Sequence, residues 1–167
     1  MAPLNIAEFS QFIDALDLMQ RATSRLAAKL RTDDDLVNIK NQQARFDDAV
    51  ANRDVLAMIE ANRDFHVAIS EAGNNSYFTL FYARLLDDGR RMLRLYFRSF
   101  GDTLPDEFAG EHYDLIKAIE DRDEDRADQL AHCHTVQVSD RFLSSLGVRH
   151  TSEMATTVDE PVQAPSP

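Results

Sequence analysis

A chain of 167 residues with an apolar fraction of 44% is long enough for one domain with a sizeable core. Its formal net charge of -11 argues against direct binding of nucleic acid, which needs a basic stripe to displace counterions, and fits a solubilising acidic surface. The lone Cys133 allows no internal disulfide, no run approaches the roughly 20 apolar residues of a membrane span, and no signal peptide opens the chain, so a soluble cytoplasmic protein is expected.

Five glycines and five prolines, three of the latter in the last few residues, leave little punctuation and favour an all-α fold. From about Ile6 to Leu30, Phe9, Phe12, Ile13, Leu16, Met19 and Leu26 recur at mostly helical spacing, and Lys29 and Arg31 suit the negative end of a helix dipole. Thr32 before three aspartates reads as an N-cap with an acidic first turn, opening a polar, peripheral second helix to about Val50. Asp54 caps a third helix that runs to Ala72 and stops at Gly73, expected in the left-handed conformation. A fourth helix, roughly Tyr77 to Phe100, carries Phe78, Phe81, Tyr82, Leu85, Met92, Leu93 and Tyr96 on one broad arc and is expected to be the central packing helix. After a loop at 101–105, Pro105 starts a fifth helix to about Ile119; Asp121-Arg122-Asp123 makes a turn, and a sixth helix reaches Leu146 with Gly147 as its stop. The composition from residue 148 onward predicts a disordered tail at 148–167 behind a domain at 1–147.

Three of these helices carry histidine where a core should be. At 100° per residue Val55, Met58, Ile59 and Ile69 share one face, and Asn62 and His66 fall in its middle, one turn apart. His112 sits among Phe108, Leu115, Ile116 and Ile119, and His134 among Ala127, Leu130, Ala131 and Val138, whereas His132 and Cys133 point elsewhere. One buried histidine is ordinarily a hydrogen-bonded core residue. Three on separate helices, with Asn62 beside the first, point to a metal centre: imidazole suits Zn, Ni, Fe and Cu, an asparagine oxygen supplies a neutral fourth ligand, and positions stay open for water or an anion.

On helix four, Arg84, Arg91, Arg94 and Arg98 lie opposite the apolar arc and read as a solvated or subunit-facing surface. Arg90 borders the arc and is a candidate for pairing with a carboxylate ligand, while Tyr82 and Tyr96 offer hydroxyls from the same helix. Glu111 is either an outer-shell partner of the site or an exposed residue. No well-placed general base accompanies the histidines, which weighs against a metal-dependent hydrolase of the DinB-like helical type and against an enzyme in general.

The sequence N-x-x-F-H at Asn62 to His66, I-x-x-A-G-N-N at Ile69 to Asn75, Glu111-His112 with Leu115 to Ile119, an acidic turn, Ala127 and His134, preceded by Ala27-Ala28 and Thr32, resembles the FCD domain. This is the C-terminal effector-binding domain of FadR-type GntR-family transcriptional regulators, and the resemblance covers about residues 8 to 147. It implies an antiparallel bundle of about six helices, usually dimeric, holding a divalent metal with Asn62, His66, His112 and His134. Zinc is the first expectation, with nickel, manganese or iron as alternatives. It further implies a small carboxylate effector and DNA contact only through a winged helix-turn-helix domain, which is not found ahead of residue 8. Three positions depart from the family: Asn62 replaces the commoner aspartate, and Leu16 and Gln20 replace an arginine and a glutamate of the first helix.

Overall fold

The computed structural model describes residues 6–99 and 107–145. These form six helices, α1 (Ile6–Leu30), α2 (Asp33–Ala51), α3 (Val55–Ala72), α4 (Ser76–Ser99), α5 (Glu107–Glu120) and α6 (Glu124–Ser145), and no strand is present among the described residues. The protein is an all-α bundle, as expected. The loop at 101–105, the Pro105 helix start, the Gly147 stop and the tail lie outside the described residues.

Local chemistry sets the helix ends. Thr32 and Asp35 form a reciprocal capping box: Thr32 Oγ1 accepts from the Asp35 N–H at 3.1 Å and Asp35 Oδ2 accepts from the Thr32 N–H at 2.8 Å. The backbone and hydroxyl donors of Thr32 lower the Asp35 carboxyl below its ordinary range. Asp54 caps α3 by accepting from the Ala57 N–H, and Asn75 Oδ1 caps α4 by accepting from the N–H groups of Tyr77 and Phe78. Gly73 departs from expectation. Its φ is -75°, and the left-handed residue is Asn74 at φ 52°. Glycine is needed at 73 for a close approach instead: a Cβ there would stand 3.0 Å from Leu26 Cβ, where the end of α3 crosses α1.

Short turns fold α2 onto α3, α3 onto α4 and α5 onto α6. The hub is α1, which packs against α3, α4, α5 and α6, and not α4, whose Tyr77, Leu80 and Phe81 are exposed at 73, 65 and 56%. The apolar arc of α4 is broader than the face that its neighbours cover, so the pattern overstated its burial.

Two apolar clusters fill the bundle. One gathers Phe9, Phe46, Met58, Ile59, Met92, Phe97 and Phe142; the other gathers Ala27, Ile39, Phe65, Ile69, Leu115, Ile119 and Ala127. Each fully buried large side chain contributes about 1.5–3 kcal/mol. Beside the second cluster two arginines exchange places. The buried Arg31, just past α1, donates to the carbonyls of Ile119 (3.1 Å) and Glu120 (2.7 Å) at the end of α5. Arg122, held at φ 58° just past α5, donates to the carbonyls of Lys29 (3.2 Å) and Arg31 (2.9 Å). Each guanidinium thus adds donors to carbonyls at the C-terminal end of the other helix.

Candidate metal centre

His66 from α3, His112 from α5 and His134 from α6 meet in the bundle interior. Their ring centroids are 5.3 Å (His66–His112), 5.4 Å (His66–His134) and 5.2 Å (His112–His134) apart, and one ligand nitrogen from each lies within 4.8 Å of the others. His66 and His112 are buried at 3 and 2% exposure, while His134 stands at the edge of the core. His112 touches both apolar clusters, stacked on Phe65 at 4.2 Å and tilted against Phe46 at 5.1 Å.

Burial is the main reason that His66 and His112 are held well below their ordinary pKa; the neighbouring His134 adds to it for both, and His66 adds to it for His112. They are therefore neutral at pH 7, the form that ligates a metal. Hydrogen bonds also select the nitrogen. Gln43 Nε2 donates to Asp47 Oδ1 at 2.8 Å, which turns its Oε1 toward His112 Nδ1, 2.8 Å away. Because that oxygen only accepts, His112 carries its proton on Nδ1 and offers Nε2. Glu111 Oε2 does the same for His134 Nδ1 at 2.7 Å, with its other oxygen on Arg141 at 3.3 Å. Glu111 is thus an outer partner of the site rather than a solvent-facing residue.

Asn62, half-buried and one turn before His66, lines the same cavity as the three histidines. The donor set fits a divalent ion: three imidazoles with two Nδ1 atoms already engaged, and a neutral amide oxygen beside them. Tyr82 is buried behind His66, ring centroids 6.1 Å apart, with no hydrogen-bond partner for its hydroxyl and its pKa pushed well up by burial. Tyr96 lies on α4 with its side chain outside the described residues. Arg90 is not brought to the cavity. Its side chain is half-exposed and 4.0 Å from Asp87, because a long arginine at the border of the arc carries its charge out to water. Arg84 is exposed and paired with Asp88, as expected of the solvated face.

Sequence reasoning passed over Gln43, buried at 1%, because α2 reads as a polar outer layer. Its signal was its place in the stripe Leu36, Ile39, Gln43, Phe46, Val50. Replacing Gln43 with leucine leaves the buried His112 Nδ1–H without an acceptor and its tautomer unfixed. We expect about 10–100-fold weaker metal binding with the fold retained, read by competition with a chromogenic chelator; unchanged affinity would refute the role assigned to this amide.

The fold and the site define a class: an all-helical domain built around a cavity with a buried three-histidine cluster suited to a divalent ion. The profile of the FCD domain matches residues 11–137, and the chain belongs to that family. FCD domains are the effector-binding domains of GntR-family regulators and are found in transcription regulators rather than enzymes. No curated protein matches the chain. Among the described residues no helix is long and apolar enough to cross a membrane.

Proposed function

We propose that the chain is the sensing domain of a FadR-type GntR-family regulator. Asn62, His66, His112 and His134 would hold a divalent metal at which a small carboxylate could bind, and occupancy would be passed to DNA-binding domains in a homodimer. The observation that carries this reading is the convergence of three histidines from three helices on one cavity, two of them with Nδ1 anchored so that Nε2 is the nitrogen available to an ion. The ion would supply a Lewis-acidic positive charge to bind the effector's carboxylate; zinc is the first choice, with nickel, manganese or iron as alternatives. Gln43 and Glu111 hold two rings in place, and the walls around Phe46 and Met92 are apolar, which strengthens a charge–charge contact beside them. Glu111 is committed to His134 and Arg141, so it is not free to act as a general base, in keeping with a sensor rather than a hydrolase. Regulation follows if the carboxylate binds one arrangement of the bundle more tightly than another.

Elemental analysis of untagged protein, paired with thermal melts in small carboxylates, tests this reading. Near one metal per chain is expected, and an effective carboxylate at 100 times its Kd raises the melting temperature by about 5–10 °C in metal-loaded protein alone. An equal rise in chelator-treated protein would disprove the metal-mediated mechanism.

A further inference from the structure

The central cavity has a volume of about 50 Å3, several times the roughly 10–15 Å3 that one water needs, so its occupant is small. Its wall away from the histidines is apolar, with Leu16 of α1, Leu85 and Met92 of α4 and Val138 of α6. Among the described lining residues none carries a permanent positive charge. A second carboxylate on the ligand, away from the metal, would be buried against hydrocarbon without a partner, an arrangement that is strongly disfavoured.

One polar group in this wall is unsatisfied. Gln20, 3% exposed, lines the cavity from α1; its Oε1 accepts from Thr135 Oγ1 at 3.0 Å, while its Nε2 is buried with no partner. A buried amide donor left unpaired carries a desolvation penalty, which an acceptor oxygen brought beside it would relieve. We propose that the effector is a small monoanionic acid with an apolar body, one of whose oxygens accepts a hydrogen bond from Gln20 Nε2. Gln20 and Leu16 are then the residues that set specificity. The inference rests on the metal–carboxylate reading given above and narrows it: the site selects against dicarboxylates of similar size.

Isothermal titration of the full chain loaded with zinc, using 3-methylbutanoate and succinate as probes, tests the proposal, with zinc content measured in the same samples. At least tenfold tighter binding of 3-methylbutanoate is expected. Gln20→Leu weakens that acid about tenfold and leaves zinc content unchanged. Leu16→Arg, which puts a cation in the wall, shifts the preference toward succinate by tenfold or more; this gain is independent of whether Gln20→Leu folds. With zinc bound, equal or tighter binding of succinate to the wild type, or no binding of either acid, overturns the effector class and leaves the metal centre standing. Absence of zinc from the wild type overturns the centre itself, and the proposal with it.

Discussion

His112→Ala is expected to abolish the proposed metal binding and to loosen the core in the same step. The side chain is 2% exposed, stacked on Phe65 at 4.2 Å, and bonded through Nδ1 to Gln43 Oε1. Truncation removes one of the three clustered imidazoles, opens a void between the two apolar clusters and leaves the Gln43 oxygen buried without its donor. Metal content is expected to fall from near one per chain to background, and stability to drop by about 2–4 kcal/mol even in chelator, where the lost metal plays no part. His134→Ala separates the two effects, since His134 stands nearer the surface with 11% of its side chain exposed: the metal is lost equally, at a smaller cost in packing. Elemental analysis and urea unfolding of both variants provide the check. Retention of metal by His112→Ala would show that this ring is a core residue and no ligand.

Metal-free protein should weaken steeply in mild acid. His66 and His112 have folded-state pKa values well below the ordinary 6.5, chiefly because burial disfavours the imidazolium. When the folded pKa is the lower one, the unfolded chain binds protons that the native state refuses. Their contribution is therefore present in full above the unfolded pKa and is lost as the pH falls from 6.5 toward the folded values. Two such groups give a limiting slope of about 2.7 kcal/mol per pH unit below 6.5. Urea midpoints measured between pH 7.5 and 5 in chelator should fall accordingly, and saturating metal should move the onset to lower pH, because ligated nitrogens cannot accept protons. A flat profile in chelator would mean that the two rings are solvated or already paired in the native state.

How much of this was legible in the sequence depended on the range of the interaction. The Thr32 and Asp54 caps act within three residues of themselves, so the starts of α2 and α3 could be read from their letters. The histidine cluster was legible because each ring occupies the middle of an apolar stripe, and burial is what a stripe encodes. The hub of the bundle was not, since which apolar face finds a partner is settled between helices; Phe81 repeats at the right interval and is exposed at 56% all the same. Arg90 shows the limit of periodicity at an edge, where a backbone angle fixes the Cβ direction and a flexible stem decides where the charge goes. Gly73 shows that a glycine at a helix end need not serve backbone conformation: here it answers to Leu26 on another helix. The buried role of Gln43 was hidden because α2 is polar overall, and a lone amide in its apolar row does not say which polar group it meets inside.

Pinning changes what α1 can transmit. Its carboxyl end is riveted to that of α5 by Arg31 and Arg122, while Gln20 meets the cavity about 16 Å up the axis and Ile6 lies roughly 37 Å from the rivet at 1.5 Å per residue. A rigid rod fixed at one end moves in proportion to distance from the fixed point, so any tilt imposed at Gln20 is more than doubled at Ile6. The two arginines therefore hold α1 and α5 together at one pole of the bundle, so that a tilt of α1, were its packing against α3, α4 and α6 to allow one, would be smallest there and greatest toward Ile6 at the other pole.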